Sequence, residues 1–356
     1  MKKLLTLVVA AAGLLGLSTA CNNISDGNDL RESASLTICI SQDIATKADP
    51  GTTALDYESK VNKLDYFIFE GGTTLYYHET VNSPSFSGGS FSKTFQKLPV
   101  GTYTVAIIAN GTSSMSGLKT IANVKAAAVT LAECSRTAST GFTMFAMREG
   151  INLVAGDNDL SNSPFQLVRF PARVRLLSVK NEIPSSAAYA NNNSIKVLGI
   201  FLCRVNSAWT LDASGNPSAL VNPTSGDGAI QSIPANQPAF VPTIPGYAAQ
   251  TSLFPTALTL ANGDINSSIN WDTYGFQTAV GSKPKLEILA EVNGENWYYP
   301  VLLPSGIDRN KTYEVIVTIS GTGTKDINVD KIERANVSAV VTVKNWEAGS
   351  QVTENI

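Results

Sequence analysis

The chain has 356 residues, of which 15% are charged and 43% hydrophobic, with a formal net charge of −3. That sparse and balanced charge excludes recognition of nucleic acid or an anionic membrane by bulk electrostatics. The length exceeds what a single core ordinarily serves, so two cores are expected.

The first residues, MKKLLTLVVAAAGLLGLSTAC, put two lysines before an apolar run from Leu4 to Leu17 and small residues before Cys21. This is the pattern of a bacterial secretion signal, and the run is too short for a spanning helix of the mature chain. Leu17-Ser18-Thr19-Ala20-Cys21 resembles a lipobox, although Ser18 stands where the leucine usually does. Residues 1–21 are therefore expected to be a lipoprotein signal ending at a lipidated Cys21, with ordinary signal cleavage as the alternative. Residues 22–35 contain almost nothing that could pack and read as a tether reaching roughly 20 Å. Next, Leu36, Ile38 and Ile40 alternate with Thr37, Cys39 and Ser41, a half-buried strand, before a polar segment carrying Lys47.

Further strand-like runs follow at 64–70, 74–81, 91–98 and 102–110, punctuated by Gly71-Gly72, Pro99 and Asn110-Gly111. Short strands with frequent turn residues describe a β-sandwich. One amphipathic helix interrupts them: Leu118, Ile121, Val124, Lys125 and Ala128 fall at three- and four-residue steps, with Ser116 as the expected cap. The sequence turns polar between Gly150 and Pro164, placing a domain boundary near 162. The second half repeats the strand style at 165–179, 195–205, 209–212, 285–292, 296–303, 312–321 and 335–349. Residues 206–271, rich in Pro, Asn, Ser and Gly, read as an irregular surface excursion.

Catalytic chemistry is hard to find. His78 is the single histidine and reads as an ordinary strand position. Gly321-Thr322-Gly323 reads as a hairpin turn, having neither the third glycine nor the helix of a nucleotide cradle. Asp157, Asp159 and Ser161 imitate the start of a calcium loop, but Asn162 and Val168 stand where it needs glycine and glutamate. Cys39, Cys134 and Cys203 are widely spaced and read as small core residues, with one disulfide open as an alternative. Trp209 and Trp297-Tyr298-Tyr299 read as core or cross-strand residues ahead of a sugar platform. No metal and no cofactor is expected.

Together, ESKVNKLDYFIFEGG (58–72), GTYTVAIIANG (101–111), TIANVKAAAVTL (120–131), LVRFPARVRLLSV (167–179), NWYYPVLLP (296–304), RNKTYEVIVTISGTGT (309–324) and ANVSAVVTVKNWEAG (335–349) resemble the FimA-type fimbrillins, subunits of the type V pili of Bacteroidia. The resemblance implies an all-β chain with one inserted helix, built as two tandem transthyretin-like β-sandwich domains at 48–162 and 163–356. It implies export as a lipidated outer-membrane precursor, cleavage by a trypsin-like protease after Lys47, before Ala48, and loss of 22–47 as a propeptide. The removable strand would carry Leu36, Ile38 and Ile40. The C-terminal run, with Val337, Ala339, Val341 and Val343 on one face, offers a donor for a neighbour's sheet, or is the last strand of its own domain. The expected protein is a non-enzymatic pilus subunit serving adhesion, polymerised head to tail with other pilin subunits, with a host or bacterial surface receptor as a further partner. A tip or accessory pilin and a surface glycan-binding lipoprotein are the alternatives.

Overall fold

The computed structural model describes residues 32–41, 60–130, 141–184, 194–206, 208–212, 220–221, 253–261, 263, 265–266, 271–278, 283–303, 306–326, 329–332, 337–345 and 352–355. Their secondary structure is strand with one α-helix and one 3₁₀ turn. In a first sheet, β1 (Ser33–Ser41) lies between β4 (Ser90–Pro99) on one side and β8 (Gly156–Asp159) and β9 (Phe165–Gln166) on the other. The β1–β4 pairing is antiparallel, from Ser33↔Pro99 to Ser41↔Ser90, and β8 and β9 run parallel to β1.

A second sheet has the order β10 (Val168–Arg169), β7 (Met144–Leu153), β5 (Gly101–Ala109), β2 (Lys63–Glu70), β3 (Thr74–Asn82). Leu64, Tyr66, Ile68, Val105 and Ile107 share one core with Ala34, Leu36, Ile38 and Ile40 of β1 and Phe95 and Leu98 of β4. Phe67, Phe69, Ala106 and Ile108, on the opposite face, belong to a second cluster. With both faces covered, β2 and β5 read as nearly unbroken apolar runs instead of alternating.

A third sheet has the order β15 (Leu220–Val221), β13 (Val205–Asn206), β18 (Trp271–Phe276), β11 (Pro171–Asn181), β21 (Lys311–Ile319), β22 (Val337–Asn345), β23 (Val352–Asn355), with β17 (Ile265–Asn266) also on β11. The fourth is β16 (Leu253–Leu260), β12 (Ile195–Cys203), β19 (Lys285–Val292), β20 (Glu295–Leu302). Val174, Leu176, Val315 and Val317 of the third sheet and Val197, Leu286, Ile288 and Val301 of the fourth join the second cluster. A two-stranded ladder pairs β6 (Ala128–Thr130) with β14 (Ala208–Thr210).

Several elements differ from the sequence reading. The helix, α1, covers only Ile121–Ala126, because Thr120, not Ser116, caps it by accepting a hydrogen bond from the Asn123 amide at 3.1 Å. Residues 113–117, including Ser116, form the 3₁₀ turn, and Ala128 has passed into β6. The polar stretch before 164, which carries no strand period, nevertheless contains β8, paired with β1. Within the expected excursion, β16 pairs with β12 and β18 with β11. Gly321 to Gly323 do not close a hairpin, since β21 and β22 are joined by a long segment in which Thr324 bridges to Tyr298. Gly323 is required there, as a Cβ would sit 2.2 Å from the Tyr298 carbonyl oxygen.

Candidate functional site

The site is β1 and the slot that holds it. Leu36, Ile38 and Ile40 are fully buried, over a floor that includes Tyr66, Ile68, Val105 and Ile107 and beside Phe95, whose ring meets Tyr66 edge-on at 5.3 Å. Burying each aliphatic side chain contributes about 1.5 to 3 kcal/mol, an upper figure given residual compactness of the unfolded chain.

The rim of the slot is polar. Ser35 Oγ donates to Asp157 Oδ1 at 2.6 Å, and Asn158 Nδ2 donates to the Ser35 carbonyl at 3.1 Å. The Leu160 amide donates to the Thr37 carbonyl at 2.9 Å, while the Thr37 and Thr94 hydroxyls lie 2.9 Å apart. Asn158 also shapes its own turn, accepting from the Val154 amide at 3.1 Å and donating to the Val154 carbonyl at 2.8 Å. Every partner of β1 is distant in sequence, 57 residues away at Thr94 and 122 at Asp157. Without β1, β4 on one side and β8 and β9 on the other would face each other with open backbone donors and acceptors above an apolar floor.

Leu36, Ile38 and Ile40 are therefore brought together in one slot. Cys21, Lys47 and Ala48 lie outside the described residues. Val337, Ala339, Val341 and Val343 lie on β22, which pairs with β21 from Lys311↔Asn345 to Ile319↔Val337 and with β23 from Val340↔Asn355 to Val343↔Val352. Ala339 and Val341 are buried in the chain's own core. In the single chain, the run read as a donor occupies its own sheet.

Other singled-out residues have structural surroundings. His78 stacks on Phe67 with centroids 4.5 Å apart, its Nε2 being 3.6 Å from Asp65 Oδ1. Burial alone would raise the Asp65 carboxyl, but His78, Thr80 and Lys63 beside it hold it below its ordinary value. Trp209 and Tyr299 are buried, and Lys325 Nζ sits 3.7 Å from the centre of the Trp297 ring. Cys39 and Cys203 are buried free thiols; Cys134 lies outside the described residues. Asp157 is engaged by Ser35, and Asp159 Oδ1 accepts from the amide and hydroxyl of Ser161, at 2.8 and 2.5 Å. Sequence reading missed a buried cluster of ionisable side chains in which Lys285 Nζ lies 3.0 Å from Glu287 Oε2 and donates to the Val329 carbonyl at 2.8 Å. Arg204 and Lys283 pair with Asp330 beside it.

The fold has counterparts among solved structures. A protein described as a cell adhesion protein of Parabacteroides distasonis matches with a TM-score of 0.63 at 17% identity, covering 90% of this chain and 99% of that one. A fimbrilin (fimA) of Porphyromonas gingivalis matches with a TM-score of 0.60 at 15% identity, over 89% of this chain and 98% of that one. A protein of Bacteroides eggerthii described as a cell adhesion protein gives 0.58 at 17% identity, over 89% and 97%. At these identities the likeness is one of fold. Residues 34–195 match the model of the family described as major fimbrial subunit protein (FimA), a span that begins inside β1. The resemblance to FimA-type fimbrillins drawn from the sequence is confirmed by that match.

Proposed function

We propose that the chain is the structural subunit of a cell-surface pilus, exported as a precursor lipidated at Cys21 and cut between Lys47 and Ala48. Cleavage frees the piece that carries β1. The slot is then filled by the C-terminal strand of a second copy, which leaves its own sheet to do so. Such a contact is head to tail and does not close, so it propagates into a filament. Two tandem transthyretin-like domains, 48–162 and 163–356, are the organisation that accompanies this reading, and adhesion through a surface receptor is its biological role.

The observation that carries the reading is the position of β1: a buried strand at the centre of a sheet, all of whose partners lie far along the chain, directly followed in sequence by the segment with Lys47. A strand so placed holds a core closed and can be cut free of what it covers. The aromatic residues that a glycan-binding lipoprotein would use, Trp209 and Trp297, are buried or covered, so that alternative gains no support.

N-terminal sequencing of protein extracted from the cell surface tests the proposal. A start at Ala48 in material that runs as SDS-resistant ladders is the expected result. A lipidated Cys21 on every molecule would overturn it.

A further inference from the structure

The inward and outward faces of β1 set conditions on any strand that replaces it. Ala34, Leu36, Ile38 and Ile40 face the core; Ser35, Thr37, Cys39 and Ser41 alternate with them, Thr37 meeting Thr94 and Ser35 meeting Asp157. A strand entering with the polarity of β1 runs antiparallel to β4 and parallel to β8. Shifting this chain's C-terminal strand by an odd number of residues would turn Ser338, Thr342 and Lys344 inward, which burial forbids.

The even registers are separated by size and polarity. With Val337 in the place of Ala34, two extra carbons enter a site where Ala34 is already 2% exposed, and Ala339 under-fills the site of Leu36. With Ala339 in the place of Ala34, Asn345 enters the buried site of Ile40 and Lys344 the nearly closed site of Cys39. With Val337 in the place of Ile38, Glu333 arrives at Ala34. One register remains, in which Val337, Ala339 and Val341 take the sites of Leu36, Ile38 and Ile40. No inward side chain is then larger than the one it replaces, and none is polar. Ser338 falls opposite Thr94 and supplies the hydroxyl that Thr37 gave, and Val340 takes the nearly closed site of Cys39.

We propose that the slot accepts β22 of a second copy in this single register, Val337 at Leu36 and Ser338 opposite Thr94, an inference that rests on the strand-exchange reading above. The incoming strand carries less apolar side chain than β1 in the three large sites, so it cannot displace β1 from the intact precursor. Cleavage must come first.

Engineered thiols read the register. In the uncleaved full chain, Thr94→Cys with Thr37→Cys should form an intramolecular disulfide, verifying that this antiparallel pair is within bonding reach. The full chain carrying Thr94→Cys and Ser338→Cys, treated with trypsin and oxidised, should give ladders that survive boiling in SDS without reductant and collapse with it. Thr94→Cys with Val340→Cys, which reports the neighbouring register, should give none, nor should either single variant. If the parent chain polymerises but the Val340 pair cross-links, or neither pair does, the register is overturned and strand exchange stands. If the cleaved parent does not polymerise, strand exchange itself fails.

Discussion

Lys285 and Glu287 are two residues apart on the face of β19 turned away from the apolar core, yet neither is exposed. The pattern Lys-Leu-Glu-Ile reads as a solvent face, and what buries it comes from around Val329 and Asp330, more than forty residues downstream; no local signal reports such a cover. Burial pushes the Glu287 carboxyl from 4.5 up to about 8, against the downward pull of the Lys285 ammonium. Between those values the folded chain holds a proton that the unfolded chain has lost, so stability falls as pH rises through this window. Thermal unfolding from about pH 5 to about pH 8.5 should therefore show a declining midpoint that flattens in Glu287→Gln; parallel profiles for the two proteins would contradict a proton on buried Glu287. A second residue-scale feature was half legible. Asn110-Gly111 marks the end of β5 as a turn, but the left-handed Asn110 (φ 53°) also donates to the Lys60 and Phe142 carbonyls at 2.7 and 2.8 Å and accepts from the Asn62 amide at 2.8 Å. Gly141, at φ 63°, fits against that knot only because it has no Cβ, which would stand 2.4 Å from the Lys60 oxygen. Urea unfolding should show Asn110→Ala losing about 2 to 4 kcal/mol and Gly141→Ala at least as much, since it adds backbone strain to the clash.

At the scale of elements, β1 was readable because Leu36, Ile38 and Ile40 alternate with small polar residues. Its neighbours β8 and β9 were not. They are two to four residues long and polar or mixed, so they carry no period, and GDND is a strand only because β1 supplies its hydrogen-bond partners. The helix was over-extended for a related reason: the apolar spacing continues to Ala128, but pairing of β6 with β14 takes those residues. In the proposed register, β22 brings one carbon fewer at Leu36, three fewer at Ile38 and one fewer at Ile40, a deficit of about 4 kcal/mol at the usual value per buried methylene. This asymmetry makes Ile38 a discriminating position. Ile38→Ala should destabilise the precursor by about 2 to 5 kcal/mol, measured by denaturant unfolding, while the proposed exchange, which removes β1, should leave the heat resistance of the filament unchanged. A filament weakened in parallel with the precursor would mean that β1 stays in place.

At the scale of the whole molecule, the polar stretch before 164 suggested independent halves, and the contacts across that point bear on the question. The second hydrophobic cluster runs from the back of the second sheet, through Ile121 and Val124 of α1 and Val129 of β6, into the interior between the third and fourth sheets. Phe142 meets Tyr274 edge-on at 4.8 Å, the Leu211 amide donates to the Ala127 carbonyl at 2.8 Å, and β6 pairs with β14, where Trp209 is buried. Residues this distant could not be joined by reading composition along the chain, because the joining elements are a six-residue helix and two three-residue strands. A filament that transmits tension through each subunit gains from such a joint, since the weakest link in a series sets the strength of the whole. Calorimetry of the precursor should accordingly give one cooperative transition. Trp209→Ala, removing an aromatic anchor worth about 3 to 5 kcal/mol, should separate it into two. Two transitions in the parent chain would show that the shared cluster does not couple the halves.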